Sequence, residues 1–219
     1  MLPGVNLYYE CPQCGNFLKK RTLRSSNTFR AINYSDGRTI APMEPEFPDL
    51  TKCKKCNTII WLRKQKEIGN YRWGDEVDLK FQTAEEVEFL EIEDQFRALD
   101  LGMAENKGEE IFIRTRIWFS YNDRLRIPKY MHERLKKGIS MFIDENDELN
   151  WKKNCTELIS LLDQSNLFEK LMLAELHRNL GNFEDCITIL NSIDHDGLKS
   201  LKEKFILECQ LKNRYNVRM

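Results

Sequence analysis

The chain has 219 residues, with 34 Lys and Arg against 35 Asp and Glu, 41% hydrophobic residues and 32% charged ones. That length can bury a sizeable core in one large domain or two modest ones, and only 10 Gly and 6 Pro exclude a collagen-like or low-complexity chain. A formal net charge of -1 gives no whole-molecule reason to expect a nucleic-acid binder or a membrane-surface protein.

The first residues, Met1-Leu2-Pro3-Gly4-Val5-Asn6, lack a basic segment followed by an apolar run, so no secretory signal is expected. No apolar stretch approaches the ~20 residues that span a bilayer, and a cytoplasmic location is expected. Thiols stay reduced there, and seven cysteines cannot all pair within one chain. Clustered cysteines then point to metal or redox chemistry. Regional charge shows what the total hides. Residues 1–66 carry 12 Lys and Arg against 5 Asp and Glu, residues 67–150 carry 12 against 20, and residues 151–219 carry 10 against 10.

Short β-type runs fill the basic head, among them Leu7-Tyr8-Tyr9 and Thr58-Ile59-Ile60-Trp61-Leu62. Ser35-Asp36-Gly37 reads as a hairpin turn, because Asp-Gly supplies the positive φ a tight turn needs. Residues 41–48 hold three prolines, which remove ladder donors and force an extended loop.

The same head carries two Cys-x-x-Cys knuckles, Cys11-Pro12-Gln13-Cys14-Gly15 and Cys53-Lys54-Lys55-Cys56-Asn57. Two intervening residues let both thiolates of a knuckle face one metal. The residue after the second cysteine favours positive φ, which Gly15 adopts freely and Asn57 tolerates. Cys11, Cys14, Cys53 and Cys56 therefore read as a tetrahedral zinc site, structural because a closed four-sulfur shell leaves no open position for catalysis. Iron in a rubredoxin-like site is the alternative metal. A head of this size with so much loop buries little apolar surface, so the metal is expected to supply much of its folding free energy. Chelation is then expected to unfold the head and leave the helices intact. The paired knuckles resemble a zinc ribbon, a family of β-hairpin modules that each contribute one knuckle. The combination Tyr34-Ser35-Asp36-Gly37-Arg38, Ala41-Pro42-Met43 and Pro48 before Cys53-Lys54-Lys55-Cys56 and Trp61-Leu62 resembles the heads of poorly characterised bacterial proteins, a resemblance that implies no activity. The long gap between the knuckles implies an added hairpin and excursion.

Past a connector at 67–83, through Gly69 and Gly74, the pattern becomes helical. Phe89, Ile92, Phe96, Leu99 and Met103 step by three and four, as on a helix capped near Thr83. Further helices are predicted over 109–123, 128–142 with Pro128 in its first turn, 151–163 capped by Asn150, 167–180, 183–194 and 198–212. Asp144-Glu145-Asn146-Asp147-Glu148 reads as a solvated loop. The run Leu173-Ala174, His177, Leu180-Gly181-Asn182-Phe183, Cys186, Leu190 and Ile193 resembles a tetratricopeptide repeat. Gly181 turns the chain between two helices, and Ala174 and Cys186 are small where those helices touch.

Cys155, Cys186 and Cys209 fall on apolar helix faces and read as buried small hydrophobes, His177 as a packing residue, and Trp118 and Tyr121 as core. Lys19-Lys20-Arg21, Arg24, Lys52 and Lys54-Lys55 lie among aromatics, a pattern compatible with single-stranded nucleic acid. The acidic segment 67–150 offers those cations an intramolecular partner. Glu85-Glu86, Glu88, Glu91, Glu93 and Asp94, beside the apolar stripe, read as a solvated helix face, or else as a face that docks on the ribbon or a basic partner. His132 and Asp194-His195-Asp196 come with no nucleophile or metal motif, so no enzyme is expected. The expected architecture is α+β: a small β-rich zinc ribbon with four cysteine ligands over 1–66, then an all-α TPR-like bundle over 84–219. The expected function is zinc-dependent protein–protein interaction or adaptor work with a protein or peptide partner. The alternative is a nucleic-acid-binding ribbon tethered to helices; neither a membrane nor a small-molecule substrate is expected.

Overall fold

The fold is taken from a computed structural model that describes residues 1–126 and 141–219. The helix expected over 128–142, with Pro128 and His132, lies outside the described residues. The protein is α+β, with small β-sheets in its N-terminal part and six described α-helices after them. It divides into two compact units, Met1–Ala31 with Ile40–Asp94, and Ile32–Thr39 with Gln95–Met219.

In the first unit a four-stranded sheet runs in the order β10 (Glu85–Glu86), β3 (Phe17–Lys20), β2 (Asn6–Glu10), β9 (Gly69–Tyr71). Strand β2 is central and buried on both faces. Tyr9 packs with Leu18, Ile60, Leu62 and Val87 on one side, while Tyr8 stacks on Phe81 with centroids 4.6 Å apart on the other. A two-stranded sheet, β1 (Leu2–Pro3) with β4 (Leu23–Ser25), flanks it in sequence, and β7 (Leu50–Lys52) pairs with β8 (Ile59–Trp61).

Residues 67–83 carry the strand β9 and a 3-10 turn, Leu79–Phe81, whose Phe81 is buried. Gly69 makes this possible: a Cβ there would lie 2.8 Å from the Phe81 ring. The helix expected from Thr83 starts only at Ile92. Glu85 and Glu86 instead extend β3 in parallel, and Phe89 of the expected stripe is exposed. Pairing with β3, a tertiary contact, overrides a helical pattern that acidic residues also satisfy.

The second unit holds the end of α1 (Ile92–Asp100), α2 (Lys107–Asp123), α3 (Glu145–Leu161), α4 (Leu167–Leu180), α5 (Phe183–Asn191) and α6 (Lys199–Gln210). Helix α2 packs on α3, α4 on α5, and α5 on α6. The stretch 144–148 is the start of α3 rather than a loop. The Asp144 carboxylate accepts from Asp147 N, and acids in the first turn suit the positive end of the helix dipole. Asn150 is thereby inside the helix. Helix α4 is capped by Asn166 and stopped by Gly181, with Gly181 N donating to Arg178 O and Asn182 N to His177 O. These are the two bonds of a Schellman motif. Ala174, Cys186, Leu190, Ile193, Phe205 and Cys209 form the core of this helical hairpin and α6.

The turn at Ser35-Asp36-Gly37 joins β5 (Ile32–Asn33) to β6 (Thr39–Ile40), closed by Gly37 N to Tyr34 O at 3.0 Å and Tyr34 N to Arg38 O at 2.9 Å. Its tip belongs to the helical unit. The chain's last residues add to it, with Ser35 N donating to Val217 O and Met219 N to Asn33 O.

Candidate metal centre

Each knuckle is built by the same backbone circuit. Gly15 N donates to Cys11 O and Cys11 N to Asn16 O; Asn57 N donates to Cys53 O and Cys53 N to Thr58 O, all at 2.8–3.0 Å. Gly15 and Asn57 have φ of 68° and 59°, the left-handed conformation this circuit needs. The first knuckle joins β2 to β3, and the second joins β7 to β8.

The four sulfurs lie within 4.8 Å of one another. Across the knuckles, Cys11 Sγ is 3.5 Å from Cys56 Sγ, and Cys14 Sγ is 3.7 Å from Cys53 Sγ. A tetrahedron with metal–sulfur bonds of about 2.3 Å has edges of about 3.8 Å, so the donor set fits a four-coordinate metal. Cys11 and Cys53 are buried and Cys14 and Cys56 half-buried, with Tyr9, Leu18 and Ile60 behind them. Burial pushes the Cys11 thiol up to about 12, while the Thr58 hydroxyl and backbone N–H bring Cys56 down to about 6. A bound dication favours the thiolate at all four positions.

Sequence reasoning missed the groups around the sulfurs. Asn16 Nδ2 donates to Glu85 Oε2 at 3.0 Å and approaches Cys53 Sγ at 3.9 Å, and Thr58 Oγ1 lies 3.2 Å from Cys56 Sγ. Asn16 and Thr58 each stand two residues after the second cysteine of a knuckle, an offset visible in the sequence.

The basic face of the head is met by acids of its own unit. Arg21 pairs with Glu86 at 2.6 Å, Lys54 with Glu88 at 2.6 Å, Lys20 with Asp49 at 2.5 Å, and Lys52 with Asp94. The first unit carries 13 Lys and Arg against 14 Asp and Glu, so the basic balance of residues 1–66 does not survive folding.

Other residues singled out in the sequence sit apart from the sulfurs. Trp118 is buried and donates from Nε1 to Asn179 Oδ1 at 2.9 Å; Tyr121 is buried and donates to Asp147 Oδ1 at 2.7 Å. Both are core. Cys155, Cys186 and Cys209 are buried, and burial raises all three thiols. His177 is half-buried, with Nδ1 3.6 Å from Asp185 Oδ2, and His195 precedes a 3-10 turn at Asp196–Leu198.

Fold and site together define an α+β protein with a helical region and a four-cysteine cluster compatible with a zinc-ribbon-like site. No family model, curated protein or solved structure matches the chain. Among the described residues no helix is long and apolar enough to cross a membrane.

Proposed function

We propose that the protein is a zinc-binding adaptor: zinc at Cys11, Cys14, Cys53 and Cys56 is structural, and the TPR-like helices take a protein or peptide partner in the cytoplasm. The sulfur geometry carries the metal half of this reading. Four thiolates favour zinc and complete its shell, which leaves no site for a reacting ligand, and we assign the protein no catalytic activity. The helical hairpin α4–α5 supports the partner half. Beside it, an apolar cavity of about 250 Å³ within the helical unit is walled by Phe119, Phe168, Leu171, Met172, Leu201 and Phe205. That volume suits one bulky apolar side chain, and 78% exposed Phe168 marks its mouth. The internal pairing of Lys20, Arg21, Lys52 and Lys54 disfavours the nucleic-acid alternative.

Affinity capture of the intact chain from its native lysate, with and without nuclease, tests the partner half. A protein retained after nuclease treatment and lost on Phe168→Ala supports the adaptor reading. Partners lost with nuclease move the function to nucleic acid, and none in either sample refutes both.

A further inference from the structure

The hairpin Ile32–Thr39 stands between the two knuckles in sequence yet belongs to the helical unit. Both its flanks, Ala31 and Ile40, belong to the unit that carries the cysteines. The chain therefore leaves the metal-bearing unit, completes the helical one, and returns before the second knuckle is made.

The hairpin's hold on the helices is buried and polar. Ser35 Oγ donates to Glu175 Oε1 at 2.6 Å and accepts from Arg178 Nη2 at 3.3 Å and Val217 N at 2.9 Å. Asn122 Nδ2 donates to Asp36 Oδ2 at 2.7 Å, and Arg126 pairs with the same carboxylate. Glu175, Arg178, Asn122 and Asp36 are each at most 1% exposed. Without the hairpin Glu175 and Arg178 lose their bonds to the Ser35 hydroxyl, and Asn122 and Arg126 lose the Asp36 carboxylate, a penalty for groups this buried.

We propose that metal loading of the four-cysteine centre controls the stability of the helical unit through this hairpin. The inference rests on the zinc reading of the centre. In the loaded protein, folded structure spans the 55 residues Ile40–Asp94 and fixes both ends of the hairpin. When the metal leaves and that small unit loosens, the hairpin is held to the helices only by closing a flexible loop of the same length. Loop-closure entropy scales as the three-halves power of length, so the ceiling of the effect is on the order of several hundred-fold in the folding equilibrium of the helical unit. Linkage is reciprocal: whatever stabilises the helices around the hairpin tightens metal binding. This departs from the sequence-based expectation that chelation leaves the helices intact, and it makes a partner-binding helical surface metal-dependent at a distance.

The test uses the full chain carrying one zinc, and the same chain after chelation with metal loss confirmed by elemental analysis. Hydrogen exchange is read on peptides from α4. A rise in α4 exchange of about ten-fold or more on zinc removal is expected. A variant with flexible Gly-Ser inserts after Ala31 and after Ile40 keeps every hairpin contact but loosens its ends; with about ten residues per insert the ceiling of the zinc effect falls from several hundred-fold to about 20-fold, so the zinc effect on α4 should drop several-fold below that of the native chain. Unchanged α4 exchange in a chain that demonstrably gained and lost zinc overturns the coupling and leaves the zinc reading standing. A full zinc effect in the insert variant overturns the hairpin as its route. A purified chain that takes up no zinc refutes the zinc reading, and the coupling with it.

Discussion

Replacing Arg178 with methionine isolates the buried network that joins α4, the hairpin and the C-terminal residues. Its guanidinium donates to Glu175 Oε2 at 2.7 Å, Glu175 Oε1 at 2.6 Å, Tyr215 O at 2.8 Å and Asn213 O, with Arg178 and Glu175 both fully buried. Methionine fills much of the same space, so cavity formation is a minor cost. The main cost is a carboxylate left buried without its counter-charge, about 3–5 kcal/mol. The two orphaned carbonyls each add about 1 kcal/mol at most, because the terminal segment can reach water. A loss of ~4 kcal/mol is a large part of the 5–15 kcal/mol that holds an ordinary domain together. Urea unfolding followed at 222 nm reports the helical unit, and with m near ~2 kcal/mol/M the midpoint should fall by about 2 M. The double variant Glu175→Leu with Arg178→Met leaves no lone ion and should recover part of the loss, though Ser35 Oγ and Asn179 Nδ2 each lose their bond to the Glu175 carboxylate. A loss below about 1 kcal/mol for Arg178→Met, with m unchanged, would refute the argument that this pair and its hairpin contacts stabilise the unit.

Three further outcomes follow from single sites. Gly69→Ala places a methyl 2.8 Å from the Phe81 ring and should destabilise the first unit by about 1–3 kcal/mol, read as a lower metal-release temperature. Gly15→Ala forces a side chain to φ 68° and should weaken the centre by about 1–2 kcal/mol, whereas Asn57→Gly at φ 59° should hold or strengthen it; a chelator competition ranks the three proteins. An alkylating reagent should spare Cys155, Cys186 and Cys209 in the native loaded chain, because burial raises their thiols. The four clustered cysteines should become reactive on metal removal, as peptide mass mapping would show.

The parts of the fold legible in the sequence are those set by local chemistry. Knuckle spacing placed Cys11, Cys14, Cys53 and Cys56 together, and the stop at Gly181 placed helix α4. Reading failed where the deciding partner is distant. Glu85 and Glu86 look helical until β3 is beside them, and Asp144 looks like loop because its role as a cap depends on the helix it starts. Ser35 gave its turn but not its destination, since Glu175 is 140 positions away. One signal was available. Glu175, Arg178 and Asn179 stand at i, i+3 and i+4 of α4, beside Ala174 on a face that otherwise packs, and charged groups there require a buried partner.

The central claim is a single four-sulfur zinc centre, and X-ray absorption at the zinc edge tests it most directly. Purified full-length protein should hold one zinc per chain with about four sulfur neighbours at about 2.3 Å, and Cys56→Ser should replace one of them with a lighter atom or lose the metal. A shell with nitrogen or oxygen neighbours in the native chain, or no stoichiometric metal at all, would contradict it.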